Sequence, residues 1–118
     1  MSAQDDCIFC KVVAGEIPSS RVYDDEKVIG FKDLYPQART HILFIHREHT
    51  CDMSELLNND FEQLGELFLG IKKFLKENET IDRYGYRLVN NKGEKGGQSV
   101  FHTHIHLLSG EQLRGFGA

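Results

Sequence analysis

In the stretch Ser99-Val100-Phe101-His102-Thr103-His104-Ile105-His106-Leu107-Leu108, histidine recurs at every second position. Successive side chains of an extended strand point to opposite faces. This spacing therefore predicts a row of His102, His104 and His106 on one face and of Phe101, Ile105 and Leu107 on the other. A strand with such an apolar face must belong to a sheet that buries it. Histidine is not a favoured core filler, yet half of the chain's 6 histidines fall in this one run. Three readings of the row stand open: polar positions facing solvent, a metal site, or a catalytic site, because imidazole is both a nucleophile and a proton carrier near neutral pH.

The residues just before the run favour chemistry. Gly96-Gly97-Gln98-Ser99 offers backbone N–H groups, a carboxamide and a hydroxyl that can surround an anion without a formal positive charge, which suits phosphate. The plainer alternative is a tight turn.

Upstream, residues 7–14 have the pattern of a short helix, ended by Gly15 and Pro18-Ser19-Ser20, with Cys7 and Cys10 on one face. Residues 21–23 and 27–32 read as a hairpin around Asp24-Asp25-Glu26, followed by a loop over 33–39. Residues 41–45 are short, apolar and rich in β-formers, a strand buried on both faces at the centre of the sheet. With Asn59 and Asp60 as caps, Phe61, Leu64, Phe68, Ile71 and Leu75 recur at helical spacing and predict the core-facing stripe of a long helix. Residues 86–89 form another strand, residues 90–97 a glycine-rich turn, and the tail 110–118 is expected to be loose. The fold class is α+β, a mainly antiparallel sheet of about five strands with one long helix and a short N-terminal helix.

Size and charge set the outer limits. A chain of 118 residues supports one domain, spanning 1–118, and 40% hydrophobic with 27% charged residues is ordinary globular composition. A net charge of -4 argues against a nucleic-acid partner, which needs a basic face, but leaves room for a small anion held by local donors. No apolar run reaches membrane-spanning length, so no membrane partner is expected. The start Met1-Ser2-Ala3-Gln4-Asp5-Asp6 lacks the features of an export signal, which makes the cytoplasm the expected location. Three cysteines in such a chain do not suggest a disulfide framework, and the spacing of Cys7 and Cys10 is that of metal or redox sites.

The run from Gln98 to Leu108 resembles the histidine triad motif, His-x-His-x-His followed by two apolar residues. Ile8-Phe9-Cys10-Lys11, Glu16-Ile17-Pro18, Asp33, Pro36-Gln37-Ala38, Thr40-His41 and Asn91 extend the resemblance, in order and spacing, to the nucleotide-binding (Hint) branch of the histidine triad (HIT) superfamily. That resemblance implies a HIT-like fold and names His104 as the nucleophile that takes a nucleoside monophosphoryl group and is then freed by water. His41 and His102 would orient it, His106 would donate to a phosphate oxygen, and Ser99 would pass a proton to the leaving nitrogen. It further implies that Asp33 bonds the ribose hydroxyls, that Ile8, Phe9, Ile17 and Leu34 line a purine pocket, and that Asn91, Gly97 and Gln98, with Ser99, His104 and His106, contact phosphate or ribose. Read without the resemblance, the four apolar residues are core packing and Asp33 is a turn cap.

The implied activity is hydrolysis of purine nucleoside 5'-phosphoramidates or adenylated conjugates of the AMP or GMP type. Its alternatives are a dinucleoside polyphosphate hydrolase or nucleotidyl transferase on the same histidines, and a nucleotide-binding regulatory partner with little turnover. A structural zinc is expected at Cys7, Cys10, His49 and His102, a complete Cys2His2 set of a kind several histidine triad proteins use. Cys51 is spare, and no organic cofactor is implied. The resemblance also implies a homodimer in contact through the long helix and residues 86–89. The chain departs from the pattern in carrying His46 where many relatives have proline, and in its ending Arg114-Gly115-Phe116-Gly117-Ala118. The leaving-group preference is therefore not carried over.

Overall fold

The structure, a computed structural model, describes Gln4 and residues 6–116. The start of the chain read above for an export signal (residues 1–3 and 5) and the last two residues of the tail lie outside the described residues. The elements run α1 (Ile8–Val13), β1 (Arg21–Asp24), β2 (Val28–Lys32), β3 (Thr40–His46), α2 (Met53–Asn59), α3 (Phe61–Glu77), α4 (Glu79–Tyr84), β4 (Tyr86–Val89) and β5 (His104–Ser109), with a single 3-10 turn at Glu94–Gly96. The strands make one five-stranded sheet in the order β1-β2-β3-β5-β4, every pair antiparallel. The α+β class and the central place of β3 are thus as the sequence led us to expect. Among the described residues, no helix is long and apolar enough to cross a membrane.

Alternation along the two central strands sorts the core into two layers. Ile42 and Phe44 of β3 and Ile105 and Leu107 of β5 point to the side covered by α3, where they pack with Leu67, Ile71, Phe74 and Leu75. Leu43 and Ile45 point to the other side, against Phe9 and Val12 of α1 and Phe31 of β2. Each such side chain contributes about 1.5–3 kcal/mol when fully buried. Because His41, His104 and His106 share the parity of Leu43 and Ile45, the sheet delivers them to the α1 side.

Two expectations need correction. The stripe of α3 is rotated from the one predicted: Leu67, Gly70, Ile71, Phe74 and Leu75 face the sheet with Gln63, while Phe61 and Phe68 are exposed. The helix carries more apolar residues than one face needs. Gly70 helps set which face docks, since a Cβ there would meet Val28 Cγ1 at 2.8 Å, and only the bare backbone lets α3 lie this close to β2. The histidine strand is also shorter than its alternation suggests. β5 begins at His104, and the register with β3 stops at the pair Ile45 and His104. Just upstream the chain bonds instead to the loop after β3, with Thr103 N–H donating to the Thr50 carbonyl at 2.8 Å. His102 lies beyond the paired strand, on the same α1 side as His104 but buried beneath Phe9, while Phe101 is exposed.

The tail has no regular structure but is tied down where it is described. The Arg87 guanidinium donates to the Arg114 carbonyl and lies 5.7 Å from the centre of the Phe116 ring.

Candidate functional site

On the α1 side of the sheet a cavity of about 300 Å³ opens between α1, the turn before β1, the loop after β2 and the start of β5. Among its lining residues are Ile8, Phe9, Ile17, Asp33, Leu34, Ser99, His104 and His106, so the structure brings these sequence-predicted site residues to one place. Val12, Phe31 and Leu43 complete the apolar wall. Sequence reasoning left them out, although the alternation of β2 and β3 places Phe31 and Leu43 beside the histidines. An apolar slot with a few polar groups at one end is the usual form of a small-molecule site.

Asn91, Gly97 and Gln98 are not among the lining residues of this cavity and lie in the loop that leads into Ser99. The Gln98 carboxamide accepts from Gly93 N–H at 2.8 Å and donates to the carbonyls of Cys51 and Val100, while Asn91 Nδ2 donates to the Gly96 carbonyl. Gly97 holds φ +88°, a left-handed conformation natural only to glycine. All three shape the loop that presents Ser99 to the cavity.

Hydrogen bonds fix which nitrogen of each histidine carries the proton. His104 Nδ1 lies 2.8 Å from the His102 carbonyl and can only donate to it. In the neutral ring this leaves Nε2 with its lone pair, on a residue that lines the cavity. His41 Nδ1 accepts from Gln37 N–H at 3.0 Å, so the His41 proton sits on Nε2, which donates to His106 Nδ1 at 2.8 Å. His106 must then hold its own proton on Nε2. His104 is wired as an acceptor and His106 as a donor, with ring centres 5.0 Å apart.

Burial keeps these rings neutral. It pushes the pKa of His104 below the ordinary imidazole value, against the opposing pull of the His102 carbonyl and Asp33. It lowers His106 to about 4, helped by His104 and His41, and it lowers His41 against the pull of Asp33. Asp33 does two things at once. Its Oδ1 accepts from Tyr35 N–H at 2.7 Å, which is the turn cap, and Oδ2 lies 3.4 Å from His41 Nε2.

Beneath the cavity, separated from it by Phe9, lies a second cluster: Cys7, Cys10, His49 and His102, whose ligand atoms all lie within 4.8 Å of one another. Cys7 caps α1, with its Sγ accepting Cys10 N–H at 3.3 Å, so the helix start itself places both thiols. His102 Nδ1 lies 3.4 Å from Cys7 Sγ, 3.6 Å from Cys10 Sγ and 3.3 Å from His49 Nδ1, and Cys10 Sγ lies 3.5 Å from His49 Nδ1. Tetrahedral zinc with ordinary Zn–S and Zn–N bonds requires S···N separations of about 3.6 Å and N···N separations of about 3.3 Å. His102 Nε2 donates to the His46 carbonyl at 3.0 Å, which frees Nδ1 for a metal and supplies the outer-shell partner that metal-bound imidazoles have. The residues fit zinc in donor chemistry and in spacing.

Asp33, His41 and His106 also come together in a metal-like group, but their tautomers oppose that use. A metal on His41 Nε2 needs the proton on Nδ1, where Gln37 N–H already points. This group is a proton-bearing chain of hydrogen bonds.

The architecture has counterparts in known proteins. The HIT domain model matches residues 14–113. A Zea mays protein described as a 14 kDa zinc-binding protein is 44% identical over 108 residues, which cover 90% of this chain and 83% of that protein. A histidine triad protein from Clostridium difficile superposes with a TM-score of 0.90 at 38% identity, covering 97% of this chain and 98% of that one. A HIT family hydrolase from Legionella pneumophila Philadelphia 1 gives 0.85 at 39% identity, covering 92% and 96%.

Proposed function

The chain belongs to the HIT family, and from that premise we propose that it is a purine nucleotide-binding hydrolase of the Hint type. It cleaves nucleoside 5'-phosphoramidates or adenylated conjugates through a nucleotidyl group carried on His104. The observation that carries this reading is the His104 Nδ1–H bond to the His102 carbonyl, which turns an unprotonated, buried Nε2 into the one nitrogen on offer to a substrate in the cavity.

In this reading the base lies among Ile8, Phe9, Ile17 and Leu34, and Asp33 Oδ2 takes a ribose hydroxyl. The His104 Nε2 lone pair forms a bond to phosphorus, and the bond from phosphorus to the leaving amine breaks. The amine nitrogen keeps that electron pair and receives a proton passed by Ser99, which recovers one from water. His106 Nε2–H donates to a phosphate oxygen as its charge shifts. The hydroxide left when water returns a proton to Ser99 attacks phosphorus, the P–N bond to His104 breaks with its electron pair returning to Nε2, and the monophosphate leaves. His41 holds His106 in the donor tautomer, and His102 holds His104 in the acceptor tautomer. Asn91, Gly97 and Gln98, on the loop that carries Ser99, contact the phosphate or ribose.

A structural zinc belongs to the same reading: Cys7, Cys10, His49 and His102 would hold it, and it would anchor His102 without taking part in the bond changes. A homodimer does too, through the apolar groove that Phe68, Ile71 and Leu75 of α3 make with Tyr86 and Leu88 of β4, a surface of the kind subunits cover. The free thiols at Cys7, Cys10 and Cys51 suit a reducing compartment such as the cytoplasm, for a single HIT domain over 1–118.

The test is rapid acid quenching during turnover of an AMP–amine conjugate labelled on phosphorus. Label is expected on His104 of the wild type and on no residue of His104→Ala. Label on another side chain, or undiminished turnover by the variant, refutes the reading. Faster cleavage of a diadenosine polyphosphate than of the conjugate would assign the same histidines to the polyphosphate instead.

A further inference from the structure

His46 is 2% exposed, takes no part in the proposed chemistry, and points to the α3 side of the sheet, away from the cavity. Its ring is held at both nitrogens. Nδ1 accepts from Glu48 N–H at 3.0 Å, so in the neutral ring the proton sits on Nε2, which donates to Glu66 Oε1 at 2.8 Å. The second Glu66 oxygen lies 3.5 Å from Lys27 Nζ, and the bond from His46 is the main reason the Glu66 carboxyl titrates below its usual range. The last residue of β3 is in this way clamped to α3 by a charge-assisted hydrogen bond, stronger than a neutral one.

The carbonyl of this same residue receives His102 Nε2–H at 3.0 Å. That single bond sets the His102 tautomer and the angle of its ring, and the His102 carbonyl in turn receives His104 Nδ1–H. We propose that Glu66 and His46 are positioning residues for the zinc cluster and, through His102, for the nucleophile. Their clamp holds the residue-46 carbonyl where His102 needs it. This rests on the reading of Cys7, Cys10, His49 and His102 as a zinc site. What the clamp adds is an outer-shell device, built from a helix on the far side of the sheet. Loss of an outer-shell partner of a metal-bound histidine lowers metal affinity by about 10- to 100-fold. The clamp acts one bond further out, so the lower end of that range applies.

The test uses the full chain and the variants Glu66→Ala, Glu66→Gln, His46→Ala and the double alanine variant. Glu66 is partly exposed on a helix, where alanine is well tolerated. Affinity for zinc is read by competition with a chromophoric chelator, and the cluster geometry by the visible spectrum of bound cobalt. Glu66→Ala and His46→Ala should each lose about 10-fold in metal affinity and shift the cobalt bands. Glu66→Gln, which still accepts from His46 Nε2, should restore most of both. The double variant should be no worse than either single one, as expected of groups acting as a unit. A Glu66→Ala protein with wild-type affinity and spectrum overturns the proposal, as does a double variant whose losses add.

A metal-free readout separates the two readings. In nitrogen NMR spectra, the His102 Nε2–H of the metal-free wild type should exchange slowly with water and that of Glu66→Ala quickly. If the wild type takes neither zinc nor cobalt, the zinc reading fails and the clamp stands or falls on this exchange. Equal exchange rates refute it.

Discussion

Two clusters of titratable side chains share the α1 end of the sheet, and both are packed tightly enough to pass for metal sites. In one, Cys7, Cys10, His49 and His102 present lone pairs to a common centre, and the far nitrogen of His102 donates to a backbone carbonyl. In the other, the far nitrogen of His41 accepts from a backbone N–H, and the near one hands its proton to His106. The imidazoles are chemically identical and similarly buried. What separates a metal ligand from a proton carrier is the sense of one hydrogen bond to the main chain, on the side of the ring away from the site.

The sharpest way to break this contrast is to remove His104, which touches both clusters only through backbone and packing. His104→Ala should lower kcat on an AMP–amine conjugate by on the order of 10⁴-fold or more, as when a nucleophile is lost. It should leave zinc content and AMP affinity within about threefold, since the His102 carbonyl stays in place. Loss of zinc in this variant would show that the two clusters are not separable.

The proton chain is probed by His41→Ala. With its donor gone, His106 is free to place its proton on either nitrogen, and kcat should fall by about 10²-fold, a usual contribution of positioned proton transfer. KM should move little, because His41 lies behind the cavity wall. A variant with normal kcat and raised KM would instead make His41 a binding residue.

The proposed zinc site is probed by stripping it. Strong chelation, or Cys10→Ser, should lower Tm by on the order of 10 °C, from the binding free energy removed, and reduce kcat only several-fold through the looser His102. In the metal-free protein, burial lifts the Cys10 thiol to about 11, so zinc must displace a proton there, and its affinity should rise with pH across the neutral range. Affinity independent of pH would exclude thiolate ligation.

How much of this was legible in the sequence depends on the kind of interaction. Alternation located β3 and β5 and the face their histidines share, because side-chain parity is local. It did not show that the strand pairing stops at His104, where Thr103 turns to pair with Thr50, a contact between residues far apart in the chain. It left α2 unnoticed, although Asp52 and Glu55 have the spacing of a helix cap and do cap it, with Asp52 Oδ1 accepting Glu55 N–H at 2.9 Å. The α3 stripe was misread because the helix is apolar on more than one side, and the choice of face lies in Gly70 and Val28 together. Tautomers lay beyond reach altogether, since they depend on which backbone group of Gln37, His46 or His102 each ring meets.

The smallest effect sought is the absence of one. An exposed imidazole titrates near 6.5, and a base of that kind would lose kcat/KM as pH falls through that value. Burial has moved His104 and His106 downward, His106 to about 4, so His106 should stay neutral well below 6.5 and His104 should take up its proton only below that value. The sign for stability follows from the same shift. Between pH 6.5 and about 4 the unfolded chain binds a proton at position 106 that the folded chain refuses, and below 6.5 position 104 acts in the same direction. Their contribution is whole above 6.5 and is lost progressively as the pH drops through that window. Lowering the pH from 7.5 to 5.5 should therefore cost measurable Tm, while kcat/KM on the conjugate falls by less than the roughly tenfold loss expected of a base titrating at 6.5, at temperatures where the protein is folded. An inflection of kcat/KM near 6.5 would show that a solvent-exposed imidazole sets the rate. The proton pattern drawn from the Gln37 N–H through His41 to His106 would then not be the one that governs turnover.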